Sequence, residues 1–421
     1  MPTAATPAPS FPLREAEFVA MMAMLMALQA FAIDAMLPAL GDISHELGVS
    51  DPNRRQLVVG VFLLSAGLGS LIPGALADRF GRRRVLMICL AVYIVFALAC
   101  ALVRDFTVLL GLRAVQGLGS AGLSVLPGAI VRDRFGGDRM ARALSTVSVV
   151  FMIVPILAPS LGQLVLLVAS WRWIFGAMAL LATLVALWVT LRLPETLDPA
   201  NRQTIRPRDI ARNMIAAATE RAALGYVLGG ALVFGAMFGY INSSQQLVGE
   251  HFGAGDRFPL IFGATAVTMA LASFTNSRIV ERFGARRVSH AALLTFVAVS
   301  ALQVTLAFQP HQALWQFMPV MAANMCMLGF IGANFSSIAL QPFARIAGAA
   351  SSLQAFARMV IGALLGTAIG QAYDNSARPL ALALLGAGLI SLALVLFSEK
   401  GRLFRRLTPP GAPRPIPDPS G

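Results

Sequence analysis

The chain has 421 residues, 57% of them hydrophobic and only 13% charged, with a mean hydropathy of +0.73. Soluble domains carry about 25% charged residues, so one soluble core of this length is excluded and a polytopic membrane protein is indicated. The excess of 33 Lys and Arg over 20 Asp and Glu falls mostly on loops of one side, which is the positive-inside pattern and not a nucleic-acid footprint.

Residues 1–17 are Pro/Ala-rich and lack the charged start and cleavage site of a signal peptide. They are expected to form a cytoplasmic tail ahead of a retained first span, 18–40. At ~1.5 Å per residue that span covers roughly 35 Å, enough for a bilayer core of about 30 Å. Eleven more apolar segments are expected near 56–77, 85–103, 106–131, 141–169, 172–192, 222–248, 258–280, 288–308, 313–340, 347–372 and 379–398. Twelve spans put both termini on the cytoplasmic side of an inner membrane.

Between the second and third spans lies Gly74 to Leu86, GALADRFGRRRVL, a short charged hairpin flanked by uncharged segments. Gly74 is expected to let helices approach closely and Gly81 to support a turn closed to bulky residues. Asp78, Arg79, Arg82 and Arg83 hold the loop at the membrane surface. The spacing G-x-L-x-D-R-x-G-R-R-R resembles the cytoplasmic loop signature of the major facilitator superfamily. The resemblance implies an all-α membrane fold of twelve helices in two pseudo-symmetric six-helix bundles. A gating role is expected for this loop, because Asp78 and the start of the eleventh span near Ala347 fall on the same side, where the carboxylate can cap that helix in one conformational state.

A tandem repeat agrees with that fold. Asp78-Arg79-Phe80-Gly81 recurs 203 positions later as Glu281-Arg282-Phe283-Gly284, and Gly162-Gln163 recurs 208 positions later as Gly370-Gln371. Two bundles are therefore expected over 18–193 and 222–398, joined by a polar cytoplasmic linker over 194–221. A surface helix from about Pro207 to Thr219 would lay Ile210, Met214 and Ile215 on lipid. The basic, then Pro-rich segment 399–421 is expected to be a disordered tail. Glycine rows at Gly60, Gly67 and Gly74, and at Gly362, Gly366 and Gly370, are expected where the bundles meet.

Only Asp34, Arg113 and Arg358 are formal charges well inside spans, and intramembrane charges are costly enough to face partners or a cavity. Asp34 and Arg113 fall at similar depth, which allows an ion pair or water-bridged pair across the first bundle. Leu109-x-x-x-Arg113-x-x-Gln116-Gly117-x-Gly119 resembles the helix 4 signature of proton-coupled members, whose arginine is linked to proton transfer. The run Ile33-Asp34-Ala35-Met36-Leu37-Pro38-Ala39-Leu40 resembles helix 1 of drug/proton antiporters, in particular the bicyclomycin-resistance (Bcr/CflA) branch. Gln56, Trp171 to Phe175 and Leu193-Pro194-Glu195-Thr196-Leu197 support that branch. The fifth span reads Ala158-Pro159-Ser160-Leu161-Gly162-Gln163 where such antiporters carry G-P-x-x-G-G. Pro155 and Pro159 are expected to kink it, each by removing a backbone bond.

Asn242, Asn334 and Arg358 are candidates for a substrate cavity in the second half, with interhelical hydrogen bonding as the other role for the asparagines. Cys89, Cys100 and Cys326 lie within or at the end of apolar spans and imply no disulfide framework. The four histidines are scattered, so neither a metal site nor another cofactor is expected. No nucleophile or dyad points to an enzyme. The expected function is a monomeric, proton-coupled secondary transporter exporting small amphipathic compounds across the lipid bilayer, with Asp34 binding the proton. A proton-coupled importer or facilitator of an organic anion is the alternative that Arg358 favours. A receptor on the same fold is the non-transport alternative.

Overall fold

Where this chain's helices start and stop is set by proline, glycine and a few carboxylates that cap their N-termini. The computed structural model describes residues 13–135, 139–140, 142–144, 146–147, 153–197, 207–343 and 347–405. Among these there are helices and turns but no strand. The chain divides into two units, Met1–Arg206 and Pro207–Gly421, the boundary falling inside the polar interval 194–221.

The first unit contains α1 (Glu15–Asp34), α2 (Leu40–Glu46), α3 (Leu57–Gly69), α4 (Ile72–Phe80), α5 (Arg82–Leu102), α6 (Phe106–Arg134), α7 (Val154–Val168) and α8 (Arg172–Arg192). The second contains α9 (Pro207–Thr219), α10 (Arg221–Gln245), α11 (Phe258–Phe283), α12 (Ala285–Ala307), α13 (Leu314–Leu340), α14 (Ala347–Gln371) and α15 (Arg378–Ser398). Among the described residues ten helical segments are long and apolar enough to cross a membrane, and α3 with α4 makes an eleventh if the pair, bent by 45°, is one span. The fifth expected span is represented by α7, 15 residues long, the stretch before it lying largely outside the described residues.

The repeat is visible in the packing. In the first unit α6 packs on α3 and α5, and α5 packs on α8; in the second α13 packs on α11 and α12, and α12 packs on α15. Gly81 (φ +101°) and Gly284 (φ +88°) make the same left-handed link ahead of α5 and α12, a conformation that only glycine enters cheaply.

Several expectations change here. The first span is not one helix: α1 stops at Asp34 and the chain passes through a 3-10 turn, Leu37–Ala39, before α2. Pro38 lacks the N–H that would bond back to Asp34, so the break lies where the sequence places it. Pro155 sits in the first turn of α7, where no bond is lost, and only Pro159 lies inside the helix. A Cβ on Gly74 would meet only Val125 Cγ1, at 4.0 Å, so close packing is not that glycine's role. Gly362 and Gly366 pack on Phe238 of α10 within their own unit, where Gly235 and Gly239 receive Leu365 and Ile369 in return. Reciprocal small-to-large packing uses this face up inside the bundle. On α9, Ile215 is exposed and Met214 half-buried, while the Ile210 side chain lies outside the described residues.

Residues Glu399–Arg405 do not behave as the free tail expected from composition. Tyr226 Oη–H donates to Glu399 Oε1 at 2.6 Å, and Arg286 Nε–H donates to the same oxygen at 2.8 Å. The Phe404 N–H donates to His290 Nδ1 at 3.0 Å, and Arg287 Nε–H donates to the Phe404 carbonyl at 3.1 Å. Polar partners on α10 and α12 thus hold a segment too polar to be buried for its own sake. Residues 406–421 lie outside the described residues.

Candidate functional site

A helix that stops inside a membrane exposes carbonyl oxygens that nothing in hydrocarbon satisfies. At the end of α1 the donor is Arg113. The side chain is fully buried on α6 and spends all three nitrogens on neighbours: Nη2–H to Ala32 O at 3.0 Å, Nε–H to Val58 O at 3.1 Å and Nη1–H to Gln116 Oε1 at 2.8 Å. Its guanidinium also lies over Phe62, 4.2 Å from the ring centroid. Arg113 therefore ties α1, α3 and α6 together through backbone dipoles.

Asp34 closes the same helix and is 5% exposed. Among the described residues its carboxylate accepts no hydrogen bond and forms no ion pair, so of the two arrangements expected for Asp34 and Arg113 the direct ion pair is not formed. Two carbonyls and one amide already fix the orientation of the guanidinium, each of its three nitrogens giving one N–H to a partner other than Asp34. Gly162 brings α7 onto this break, because a Cβ there would collide with the Ala35 carbonyl oxygen. Gly117 does the same for α6 against the carbonyl of Phe62. Tyr93 Oη–H donates to Leu28 O at 2.9 Å one turn and a half earlier, closing the polar groups around this part of α1.

The charged hairpin forms a second cluster. Asp78 pairs with Arg82 Nη1 at 2.6 Å, and Arg82 Nε–H reaches Asp133 Oδ2 at the end of α6 at 3.0 Å. Glu195, beyond α8, caps the start of α5: its two carboxylate oxygens accept the N–H groups of Arg82 at 2.8 Å and Arg83 at 3.2 Å. Carboxylates are favoured at such helix starts by unpaired N–H groups and the helix dipole. A Cβ on Gly81 would collide with Glu195 Oε2, so the glycine is required both by its φ and by the cap beneath it. Arg83 Nη2–H also donates to Thr190 O at 2.6 Å. Arg79 stacks on Phe80, 5.2 Å from the centroid. In the second half Arg282 stacks on Phe283, 5.4 Å from the centroid, and the Glu281 side chain lies outside the described residues.

The α8 helix is fastened to the first span at both ends. Glu46 accepts from Trp171 Nε1–H at 2.5 Å and pairs with Arg172, and Glu17 pairs with Arg192 Nε at 2.9 Å. The candidates of the second half do not converge by hydrogen bond or ion pair. Asn334 Nδ2–H bonds to Asn276 Oδ1 at 2.7 Å and Phe330 O at 2.8 Å, which is interhelical structure. Asn242 is 1% exposed with neither amide atom bonded among the described residues. Arg358 is exposed on α14, its guanidinium over Phe234 at 5.4 Å. Glu195, Asp133 and Glu399 were not singled out as site residues. A repeat comparison carried past the hairpin finds two of them, because Glu195 and Glu399 stand 204 positions apart.

Helices that cross a membrane in two repeat-related units, with a charged hairpin after the second span of each, define a polytopic transporter fold. The chain belongs to the Major Facilitator Superfamily, whose family model matches residues 19–367. It is 29% identical over 390 residues to a bicyclomycin resistance protein homolog of Haemophilus influenzae, covering 92% of this chain and 98% of that protein. It is 29% identical over 382 residues to the multidrug resistance protein MdtL of Escherichia coli, covering 90% and 94% respectively. These relatives bear out the resemblance to the bicyclomycin-resistance branch. A solved peptide transporter, POT, has the same fold, with a TM-score of 0.71 at 14% identity over 91% of this chain and 94% of that chain.

Proposed function

We propose that the protein exports small amphipathic compounds in exchange for protons, by alternating access, and that Asp34 is its proton-binding group. The observation that carries this reading is a buried carboxylate at a helix break with no hydrogen bond or ion pair among the described residues, beside an arginine whose three nitrogens are bonded to other groups. A group so placed can gain or lose a proton without an ion pair having to open first. Substrate and proton then compete for one conformational cycle, and that competition is the coupling. The asymmetry of the arginine-rich loops favours cytoplasmic termini. The hairpin of Asp78, Arg79, Arg82 and Arg83, with Glu281 as its repeat partner, would act on the cycle and not on the substrate. The relatives named for bicyclomycin and multidrug resistance support export of drug-like compounds.

The test is flux. Purified protein in proteoliposomes carrying an internal pH dye is given an imposed pH gradient and a panel that begins with bicyclomycin. Substrate-dependent proton movement, with substrate driven opposite to the protons, is expected. Downhill flux with no proton signal for any substrate would remove the coupling. Arg358, an exposed cation in the middle of α14 with no ion pair among the described residues, favours a second reading in which the cargo is an organic anion. Including anionic metabolites in the panel decides between them.

A further inference from the structure

Both units carry an apolar groove on the wall built by the second, third and fourth spans. In the first unit it opens at the bend. Ser70 Oγ–H donates to Gly67 O at 2.7 Å as α3 ends, Pro73 starts the next turn, and α4 departs at 45°. The wedge left between α4, α5 and α6 has a volume of about 520 Å³. Its floor is kept low by glycine: a Cβ on Gly119 would lie 2.7 Å from Val92 Cγ1. In the second unit the corresponding groove, between α11, α12 and α13, has a volume of about 370 Å³. Phe80, Arg84 and Val92 line the first, and Phe283, Arg287 and Thr295, each 203 positions further on, line the second.

The two grooves share a polarity. Each is apolar along its length and ends at an exposed arginine in the first turn of α5 or α12. A second arginine sits at the same end, Arg79 over Phe80 and Arg282 over Phe283. Arg84 makes no hydrogen bond or ion pair among the described residues, whereas Arg287 gives its Nε–H to Phe404 O. From Arg84 to Val92 is roughly 12 Å along α5 at ~1.5 Å per residue, room for a large part of one acyl chain. Ile72 and Ile88 on the rim are 56% and 58% exposed, the kind of surface that hydrocarbon covers in a bilayer. Apolar walls of this kind hold water poorly, and a hydrocarbon chain matches their chemistry.

We propose that each groove seats one anionic phospholipid, its acyl chain along the apolar floor and its phosphate between the paired arginines, Arg79 with Arg84 and Arg282 with Arg287. Basic ends of interhelical pockets select anionic headgroups, and one arginine near the surface changes affinity by about fivefold. The repetition of the same chemistry 203 residues apart is what distinguishes a built site from an accidental gap between helices.

The experiment is native mass spectrometry of the delipidated full chain, titrated with dioleoylphosphatidylglycerol or dioleoylphosphatidylcholine. Two saturable phosphatidylglycerol sites are expected, with no saturable phosphatidylcholine site of similar strength. Arg84→Ala and Arg287→Ala should each weaken one site about fivefold, and the double variant both. Ile88→Trp and Ala291→Trp fill the grooves without touching the charges and should each remove one site. An unsaturable adduct ladder, equal for both lipids, overturns the proposal. So does lipid binding by the arginine variants indistinguishable from that of the original chain. If the arginine variants weaken binding while folded, monodisperse tryptophan variants retain it, attraction is at the surface only and the seated chain is refuted.

Discussion

Arg113 and Asp34 meet at the same break in the first span without pairing: the guanidinium donates to the carbonyl oxygen of Ala32, 3.0 Å away and two residues before the carboxylate. The cation is held by two backbone carbonyls and a side-chain amide, and the acid forms no ion pair among the described residues. On the proposed reading, structure and proton handling fall to different side chains at one place.

Asp34→Asn follows from that division. The variant keeps the shape of the side chain but cannot ionise, so folding and expression should be unchanged while proton-driven transport is lost. Transport against a gradient by the Asn variant, with protons still moving, would place the proton site elsewhere.

Arg113→Lys should behave differently. An ammonium keeps the charge but cannot span Ala32 O, Val58 O and Gln116 Oε1 together. Interhelical hydrogen bonds in membranes average about 0.6 kcal/mol and reach about 1.7. A loss of about 1–2 kcal/mol in stability, seen as a lower melting temperature in detergent, is therefore expected together with reduced turnover. An unaltered melting temperature would mean that the end of α1 needs no such clamp.

The Gly81–Glu195 contact supports a double-mutant cycle. Glu195→Ala removes a helix cap and should cost about 1 kcal/mol. Gly81→Ala carries both a disfavoured backbone conformation, about 1–3 kcal/mol, and a collision with the cap. In the double variant the collision is gone, so the combined loss should be smaller than the sum of the two. Strict additivity would show that the cap yields to the extra methyl group at no cost.

The pH response of Glu399 can be worked out from its surroundings. Burial pushes this carboxyl up, but the Tyr226 and Arg286 hydrogen bonds and the Arg286 charge outweigh it and hold the group below its ordinary range. The contribution is thus fully present above the ordinary glutamate value of about 4.3 and is lost as pH falls through the lower folded value. Hydrogen exchange at residues 400–405 should accelerate under acid and, in Glu399→Gln, already be fast at neutral pH. Equal protection in both proteins at pH 7 would assign the docking of this segment to Phe404 alone.

Much of this architecture was legible before any coordinates. Hydropathy alone located the spans, because a bilayer demands some twenty apolar residues each time, and the hairpin at Asp78 announced the family. Asp34 and Arg113 stood out because charge inside hydrocarbon is rare. Their relationship did not, since a bond from guanidinium to a backbone carbonyl leaves no mark on the identity of Ala32 or Val58. The cap made by Glu195 was hidden for the same reason, its partners being main-chain N–H groups. Composition misjudged residues 399–405, where docking depends on Tyr226, His290 and Arg286 elsewhere in the chain and not on local hydrophobicity.

The carboxylates that follow α8 and α15 also bear on how the protein is made. The Glu195 bond to the Arg82 N–H and the Glu399 bond to the Arg286 side chain each span 113 residues. A ribosome delivers these glutamates only after the last helix of each half has been released, whereas their partners wait at the start of that half's third span. Each contact therefore needs nearly the last residue of its bundle, and both partners of the first exist before the second bundle has been translated. A chain arrested between the two halves already owns both partners of the first of these contacts.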